Sequence, residues 1–388
     1  MKKVKIGDVC EIINGYAFKS ENYVDNGIRV IRITNVQKGF IEDNTPVFYP
    51  INSVSLNKYM LKENDLLISL TGNVGRVALL EKKFLPAALN QRVACLRLIS
   101  DKIFKNYLFH ILNSEYFEKQ CIQASKGVAQ KNMSTEWIKE FEIPLYSQKE
   151  QVKIVKILNG VRSIIDNRRI EIQQLDFLIK SRFVEMFGMP GTNEKGWGAS
   201  TLGKCCVINP KKGQDKRLQI GMEVSFIPMP AISENGNIDA SEIRLYDNVK
   251  TGFTYFSEND VLFAKITPCM ENGKGAVAVG LCNGVGFGST EFHVIRPIEG
   301  VSNPYWLYGL TSFDTFRKDA AANMTGSAGQ KRVPANFLEN YKVFLPPIKF
   351  QTQFATFVHQ VDKLKVEEQQ RLEKAQMLFD SLMQQYFG

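Results

Sequence analysis

The chain contains a long internal repeat, and this feature constrains its fold more than any other. Seven short segments recur in the same order in both halves, at offsets of 195 to 200 residues. The matched segments are Ile6–Asn14 with Leu202–Asn209, Glu63–Leu67 with Glu258–Leu262, Asn106–Phe109 with Pro304–Leu307, Ala129–Lys131 with Gly329–Lys331, Phe141–Leu145 with Tyr341–Leu345, Ile165-Asp166 with Val361-Asp362, and Phe187-Gly188 with Phe387-Gly388. Such a unit is much longer than the roughly 20–50 residues of a solenoid repeat. The repeat therefore predicts a duplicated domain, whose two copies can pack with pseudo-two-fold symmetry as the subunits of a dimer do.

Each copy is predicted to consist of a globular part with strands and helices, followed by one long helix. Apolar runs such as Leu66–Leu70 and Val277–Val279 are bounded by Gly and Asn, which is typical of strands. Helical segments are expected near 104–122 and 304–320. Residues 148–187 contain no Pro, and their apolar residues alternate in steps of four and three. The predicted stripes consist of Ile154, Leu158, Val161, Ile165, Ile172, Leu175, Ile179 and Phe183 in the first copy, and of Phe354, Val358, Val361, Leu372, Ala375, Phe379, Leu382 and Tyr386 in the second.

The length of these helices determines the predicted architecture. A helix of about 40 residues is roughly 60 Å long, which is too long for one small domain, so each helix must be an arm or spacer. The expected fold class is α+β, with two similar mixed α/β domains separated by two long antiparallel coiled-coil helices in a pseudo-two-fold arrangement. The predicted segments are a first globular domain at 1–146, a central helix at 147–188, a linker at 189–198, a second globular domain at 199–346 and a C-terminal helix at 347–388.

Composition narrows the class of protein. The 388 residues carry a formal net charge of +9, which indicates an anionic partner without identifying it. The seven cysteines are odd in number and form no CxxC pair, and there are only three histidines, so neither a disulfide framework nor a zinc site is supported. No apolar run approaches the roughly 18 residues of a membrane span, so we expect a cytoplasmic protein without a membrane partner.

The order of domains and helices resembles that of type I restriction-modification specificity subunits, over essentially the whole chain. The resemblance rests on two segments similar to LxxGDVLIS, Leu61–Ser69 and Phe256–Ala264. It also rests on the segment before each helix. In the first copy this segment is Phe141–Leu145, followed by Gln148 and Gln151. In the second copy it is Val343–Pro347, followed by Gln351 and Gln353, although Gln353 lies one residue too early to match Gln151.

The resemblance implies a non-catalytic subunit with two target-recognition domains, each of which binds one half of a split site on double-stranded DNA. The helices set the distance between the half-sites, which lie on a common face of the duplex about one turn apart. They also dock modification (methyltransferase) subunits and, through them, restriction (translocase and nuclease) subunits. S-adenosylmethionine, ATP and magnesium are expected on those partners, with no cofactor or metal in this chain. Because the two halves differ in sequence, we expect an asymmetric target.

Candidate DNA-binding residues follow from side-chain chemistry, because Arg and Lys bind guanine, Asn and Gln bind adenine, and hydroxyl groups bind either. The candidates in the first domain are Thr71, Asn73, Arg76, Asn90, Gln91, Arg92, Lys126, Gln130 and Lys131. Those in the second are Lys265, Thr267, Lys274, Ser289, Thr290, Gln330, Lys331 and Arg332. The repeated Gln-Lys pair favours phosphate anchoring by Lys131 and Lys331. Candidate partner-docking residues on the outer helix faces are Ile157, Ile164, Leu178 and Phe357.

Two other classes of protein remain as alternatives. The first is a coiled-coil scaffold or adaptor that binds proteins rather than DNA. The second is a nuclease or methyltransferase in its own right. The only Pro-Pro pair, Pro346-Pro347, is followed by Ile348 rather than by the aromatic residue of an adenine methyltransferase motif, and no GxxxxGK[ST] phosphate-binding loop occurs. These observations argue against the second alternative.

Overall fold

The computed structural model describes residues 2–51, 54–125, 133–327 and 329–388, except for the side chains at 54, 55 and 214. Within this range the chain divides into two compact units. Unit 1 comprises Met1–Arg168 with Arg371–Gly388, and unit 2 comprises Arg169–Gln370. The unit boundaries therefore fall inside the two long helices, whereas the five segments expected from the sequence were drawn at helix ends. That five-segment division stays a prediction.

Unit 1 is built from three small sheets and a group of helices. Its strands are β1 (Lys3–Lys5), β2 (Cys10–Asn14), β3 (Ile28–Ile31), β4 (Phe48–Tyr49), β5 (Leu66–Ser69), β6 (Val77–Leu79), β7 (Ala87–Leu89), β8 (Val93–Leu98) and β9 (Glu142–Pro144). Its short helices are α1 (Ile6–Val9), α2 (Lys105–Leu112), α3 (Glu115–Ala124) and α4 (Thr135–Glu140), and the first long helix is α5 (Gln148–Phe187). The strand orders are β2-β8-β5-β6, β4-β3-β7 and β1-β9, and every neighbouring pair is antiparallel except β3 with β7.

Unit 2 repeats this plan. Its strands are β10 (Gly198–Thr201), β11 (Cys206–Ile208), β12 (Glu223–Ile227), β13 (Ile243–Leu245), β14 (Thr254–Ser257), β15 (Val261–Ala264), β16 (Gly275–Val277), β17 (Val285–Gly288), β18 (Phe292–Pro297) and β19 (Lys342–Leu345). Its helices are α6 (Leu202–Cys205), α7 (Tyr246–Val249), α8 (Pro304–Ser312), α9 (Asp314–Ala322), α10 (Ala335–Asn340) and α11 (Ile348–Phe387). The orders β11-β18-β15-β16, β13-β12-β17-β14 and β10-β19 match those of unit 1 strand for strand, with β14 added. The fold class predicted from the repeat, two similar mixed α/β domains and two long helices, is confirmed.

One inner strand in each unit, β5 or β15, is apolar on both faces because it separates two cores. In β5, Leu66 and Ile68 belong to the core on the helix side, whereas Leu67 belongs to the core shared with the smaller sheet. In β15, Val261 and Leu262 divide in the same way. This arrangement explains why the sequence shows a continuous apolar run here instead of strict alternation. The strand predicted at 66–70 is confirmed, whereas β16 ends at Val277, two residues before the end of the run.

Each of the two segments that were expected to be helical, near 104–122 and near 304–320, contains two helices. Ser114 interrupts the first segment, since its hydroxyl caps α3 by accepting a hydrogen bond from the Phe117 backbone N–H at 3.2 Å. In the second segment, Phe313 is extended between α8 and α9. Both segments are therefore helical, as expected, and each contains a turn between two helices.

The two long helices run antiparallel within each unit. In unit 1, Ile154 and Leu158 from the start of α5 share a core with Met383 and Phe387 from the end of α11. In unit 2, the Phe183 ring from the end of α5 lies 5.5 Å from that of Phe354 near the start of α11. The antiparallel packing expected from the repeat is confirmed in each unit. No helix in the described part of the chain is long and apolar enough to cross a membrane.

A buried glutamine attaches each long helix to its globular domain. The Gln151 side chain accepts a hydrogen bond from Phe104 N at 2.9 Å and donates two, to the carbonyl oxygens of Lys102 and Tyr146, both at 2.9 Å. Gln151 lies in the first turn of α5, shortly after β9.

Gln351 repeats these contacts 200 residues later. It accepts from Asn303 N at 2.8 Å and donates to the carbonyl oxygens of Val301 and Pro346, at 3.1 and 2.8 Å. Gln353, which the sequence comparison placed opposite Gln151, is exposed. That alignment was wrong, because the buried amide occupies the same helical position in both copies.

Candidate nucleic-acid interface

A buried ion pair stabilises the strand that leads to the candidate site in each unit. In unit 2, Arg296 on β18 donates from Nε and Nη2 to the two carboxylate oxygens of Asp260, at 2.8 and 2.6 Å, and the Asp260 side chain is only 2% exposed. In unit 1, Arg97 on β8 pairs with Asp65 in the same bidentate way. The hydrogen bonds with the carboxylate raise the pKa of both arginines, so the charges persist at every physiological pH.

The residue before each aspartate explains the repeated Glu-Asn-Asp motif. Asn64 and Asn259 have φ of 71° and 67°, in the left-handed region that asparagine adopts more readily than other residues with a side chain. Both occupy the Gly position of the LxxGDVLIS-like segments. The tight turn directs the following aspartate inward, and the strand that begins there, β5 or β15, carries the chain to the candidate interface.

In unit 2, three distant segments meet where β15 ends. The backbone of Lys265 bonds to Glu291 O at 2.9 Å and accepts from Val333 N at 2.8 Å. Thr267 N donates to Lys331 O at 3.1 Å, and the Thr267 hydroxyl accepts from Lys331 N at 3.2 Å. We call Lys265, Thr267, Glu291, Lys331 and Arg332 the β15-end cluster; it brings together residues that the sequence analysis nominated separately.

The cluster contains a second ion pair. Arg332 donates from Nε to both carboxylate oxygens of Glu291, at 2.9 and 3.2 Å, and from Nη2 at 2.8 Å. The hydrogen bonds with Arg332 lower the pKa of Glu291, so it is ionised at neutral pH. Burial lowers the pKa of Lys265, which is only half-exposed, whereas Lys331 is exposed. The cluster contains three cationic side chains and one carboxylate, so its formal charge is positive.

The other candidates of the second domain border this cluster. Lys274 lies beside the end of β15, since its carbonyl oxygen accepts from Ala264 N at 3.1 Å. Ser289 begins the turn that carries Glu291, and its hydroxyl accepts from Glu291 N at 3.2 Å. Thr290 and Gln330 are exposed. The structure therefore gathers all eight nominated residues of the second domain around the end of one strand.

The corresponding place in unit 1 has a similar backbone and different side chains. Leu70 occupies the position of Lys265, since its N–H donates to Arg92 O at 3.0 Å and its carbonyl oxygen accepts from Met133 N at 2.8 Å. Arg92 therefore corresponds to Glu291. Both Arg92 and the neighbouring Gln91 are exposed, whereas Asn90 is half-buried.

The turn after β5 holds the remaining first-domain candidates. The Ser69 hydroxyl accepts from Arg76 N at 3.0 Å and donates to the Asn73 carbonyl oxygen, which closes a tight loop with Thr71 half-buried at its start. The Arg76 side chain donates to Gln37 Oε1 from Nη1. Lys126, Gln130 and Lys131 lie outside the described residues, so their contacts with DNA stay a prediction.

The long helices carry apolar side chains that the cores leave exposed. Among the predicted docking residues, Ile164 is 50% exposed and Leu178 45%, whereas Ile157 and Phe357 are half-buried. The ring of Phe357 lies 5.7 Å from the Arg182 guanidinium group, so part of its surface is covered within unit 2.

Further exposed apolar positions on these helices, among them Phe177, Met377 and Leu364, were missed. Phe177 and Met377 are each 71% exposed and lie 200 residues apart, as do Ile164 and Leu364, which are each 50% exposed. Ile164 and Met377 belong to unit 1, while Phe177 and Leu364 belong to unit 2. Each unit therefore presents apolar side chains from both helices. The recurrence of an exposed apolar residue at the repeat offset was the available sequence signal.

Comparisons with known proteins agree with this architecture. The family model described as "Type I restriction modification DNA specificity domain" matches residues 1–175 and again 194–376. The chain is 36% identical over 231 residues to the type I restriction enzyme EcoAI specificity subunit of Escherichia coli, a match that covers 56% of this chain and 38% of that relative. The chain thus spans about two fifths of the length of that curated relative.

Two solved structures share the fold over the whole chain. One comes from work on complex assembly and conformational transition of the type I R-M system, with a TM-score of 0.58 and 18% identity, and covers 100% of this chain and 97% of that one. The other is a type I restriction-modification S subunit from M. genitalium, with a TM-score of 0.53 and 13% identity, and covers 100% of this chain and 96% of that one.

Proposed function

The chain belongs to the type I restriction-modification DNA specificity family, and from this premise we propose that its two globular domains bind the two halves of a bipartite, asymmetric site on double-stranded DNA. The observation that carries the proposal is the β15-end cluster and its counterpart after β5. Both units place cations and amide side chains at the end of the same strand, on backbones fixed by the same hydrogen bonds. Such side chains bind phosphates and base edges.

The asymmetry of the target follows from side-chain differences at matched positions. Arg92 stands where unit 2 has Glu291, and Leu70 where it has Lys265. An arginine donates to guanine, whereas a carboxylate accepts from cytosine or positions another side chain. Two surfaces with opposite charge at one position favour different base pairs, so the half-sites differ.

The long helices are the proposed docking surface for modification subunits, through which restriction subunits join. Each unit exposes apolar residues from both helices, and a duplicated surface suits two copies of one partner. In this proposal the chain is non-catalytic and works in the cytoplasm. S-adenosylmethionine, ATP and magnesium act on the partner subunits.

Methylation of cellular DNA tests the proposal directly. Genomes are compared from cells that carry this gene with its chromosomal neighbours and from cells that lack it. We expect methylation at one bipartite motif to disappear with the gene. Unchanged methylation, with the methyltransferase shown to be expressed, would refute the proposal and favour the protein-binding scaffold.

A second test concerns DNA contact itself. Lys331 is exposed and its backbone is fixed by Thr267, so we expect its ammonium group to contact phosphate. Lys331→Ala should weaken binding on all sequences and reduce the slope of log affinity against log salt by about 1. Lys195→Ala, which removes an exposed lysine in the linker, is the matched control and should leave the slope unchanged. An unaltered slope in Lys331→Ala would remove this lysine from the interface.

The docking surface is tested by placing a charge on it. Ile164→Asp and Phe177→Asp should prevent co-purification of the modification subunits while helicity and DNA affinity persist, because both side chains are exposed in the free chain. Gln174→Asp introduces the same charge at an exposed polar position of α5 and should assemble normally. Full assembly of Ile164→Asp and Phe177→Asp would contradict docking at these positions, and loss of helicity would show that they are structural.

A further inference from the structure

We propose that Arg332 recognises one guanine in the half-site of the second domain, and that Glu291 is its positioning residue. This inference rests on the proposed function, since it assigns one base contact within that DNA interface. It goes further by naming the base, the edge of the guanidinium group that binds it and the side chain that orients that edge.

The hydrogen bonds leave one edge of Arg332 free. Nε and Nη2 form one side of the planar guanidinium group, and both donate to the Glu291 carboxylate. The opposite edge consists of Nη1 and the second hydrogen of Nη2, and no residue in the described part of the chain accepts a hydrogen bond from Nη1. The Arg332 side chain is 42% exposed. A guanidinium group held along one side therefore presents two parallel N–H donors outward.

The backbone that carries Arg332 is fixed on both sides. Arg332 exchanges two hydrogen bonds with Thr325, N to O at 2.8 Å and O to N at 3.0 Å, and Val333 N bonds to Lys265 O. The buried His293 ring contacts Val333 O through Nε2 at 2.7 Å. Because both the backbone and the side chain are held before DNA arrives, little conformational entropy is lost on binding.

The fold itself does not require this ion pair. The pair of Asp260 with Arg296 is buried and recurs in unit 1, whereas Glu291 corresponds to Arg92, so the first unit has no equivalent carboxylate. Glu291 and Arg332 are also more exposed, at 25% and 42% of their side chains. This ion pair is present in only one copy, at a surface where the side chains of the two copies differ. We therefore assign it to recognition and not to stabilisation of the fold.

Guanine is the base that matches two parallel donors. In the major groove it presents the O6 and N7 acceptors side by side, and a bidentate arginine is the commonest contact to it. Adenine offers one acceptor beside a donor, so it satisfies only half of this edge. Lys331 and Lys265 lack a planar fork and act as point charges, which suits phosphate.

The experiment measures base preference in the full chain in complex with its modification subunits. The bipartite target found by methylation sequencing is used as a duplex, together with versions in which each guanine of either half-site is replaced in turn. Arg332→Gln should lose its preference for guanine at one position of one half-site, by about 5- to 150-fold, and keep every preference in the other half-site. Arg332→Lys, which retains the charge but lacks the planar fork, should keep affinity for nonspecific DNA and weaken the same preference less than Arg332→Gln does.

Glu291→Gln separates positioning from structure. Removal of this carboxylate should reduce the guanine preference at the same position while affinity for nonspecific DNA stays equal or rises, because a negative charge near phosphate is lost. A merely structural role would lower both. Arg244→Gln is the matched control, since Arg244 is 38% exposed, lies on β13 and donates from Nε and Nη2 to Glu242; it should change no base preference.

Failure of this inference differs from failure of the proposed function. If the wild-type complex binds DNA without sequence preference, the proposed function fails and this inference with it. If wild type is selective but Arg332→Gln retains every guanine preference, or if the half-site contains no guanine, only the assignment of Arg332 is overturned.

Discussion

Replacement of Gln351 by leucine should destabilise unit 2 strongly, because one buried amide satisfies three backbone groups. Gln351 is fully buried, accepts from Asn303 N and donates to the carbonyl oxygens of Val301 and Pro346. Leucine has a similar volume and no polar atom, so Gln351→Leu leaves all three groups buried without a partner. At about 1–3 kcal/mol for each unsatisfied group, partly offset by local relaxation, the free energy of unfolding should fall by about 3–5 kcal/mol.

Thermal unfolding followed by circular dichroism measures this effect. In a unit of this size each kcal/mol lowers the unfolding midpoint by about 2–4 °C, so we expect the first transition of Gln351→Leu to fall by at least about 6 °C. Gln353→Leu removes an exposed amide two residues away on the same helix and should shift the midpoint by less than about 2 °C. Gln151→Leu should destabilise unit 1 to a similar extent. Equal midpoints for Gln351→Leu and Gln353→Leu would refute the inference that this amide anchors the helix.

Two further effects on stability follow from buried charged and titratable groups. Asp65→Ala and Asp260→Ala each leave a partly buried arginine without its carboxylate, so each should lower the free energy of unfolding in urea by about 2–4 kcal/mol. Glu242→Ala breaks an exposed pair and should lower it by less than about 1 kcal/mol. Equal losses in all three variants would contradict this expectation. Burial lowers the pKa of His110 and His293 in the folded chain. Above about pH 6.5, the pKa of histidine in the unfolded chain, both rings are neutral in both states and the fold has its full stability. As the pH falls below this value the unfolded chain gains protons first, so the free energy of unfolding decreases until the folded pKa is reached. The unfolding midpoint should therefore decrease from pH 7.5 to 5.5 in wild type and less so when both histidines are replaced by glutamine; identical pH profiles would exclude the histidines as the cause.

Much of the architecture was predictable because it is periodic or repeated. The strand at Leu66 follows from an apolar run between turn residues, and the long helices follow from heptad spacing without Pro. The repeat then predicted two copies of one plan, which the matching strand orders confirm. These signals are local or depend on comparing the chain with itself, so one sequence suffices.

Contacts between distant residues were not predictable in the same way. Asp260 and Arg296 lie 36 residues apart, and nothing in either segment identifies the partner. The match of Ile165 to Val361 was out of step by about one helical turn, since α5 and α11 begin and end 200 residues apart. A heptad stripe looks alike after a shift of one turn, so apolar periodicity alone does not determine the register.

The candidate interface was predictable in part. Position in the repeat and side-chain chemistry nominated residues such as Lys265, Lys331 and Arg332 separately, and the structure places them around one strand end. The pairing of Arg332 with Glu291 required the fold, because the two residues are 41 positions apart, and their segments meet through the backbone bonds of Lys265 and the contact of His293 with Val333. The charges in those segments differ between the two copies, so comparison of the copies does not predict the ion pair of Glu291 with Arg332.

Comparison of the two copies distinguishes the residues that stabilise the fold from those that form the candidate interface. The buried amide at 151 and 351 and the buried carboxylate at 65 and 260 make the same contacts in both units. At the strand ends the backbone contacts persist, yet Leu70 replaces Lys265, and the charge at position 92 is opposite to that at 291. Since backbone geometry is set by the shared contacts, exchange of side chains at the strand end alters electrostatics without disturbing the backbone. The chain thus carries two differently charged surfaces on one shared plan, which is what the asymmetric bipartite target that we propose requires.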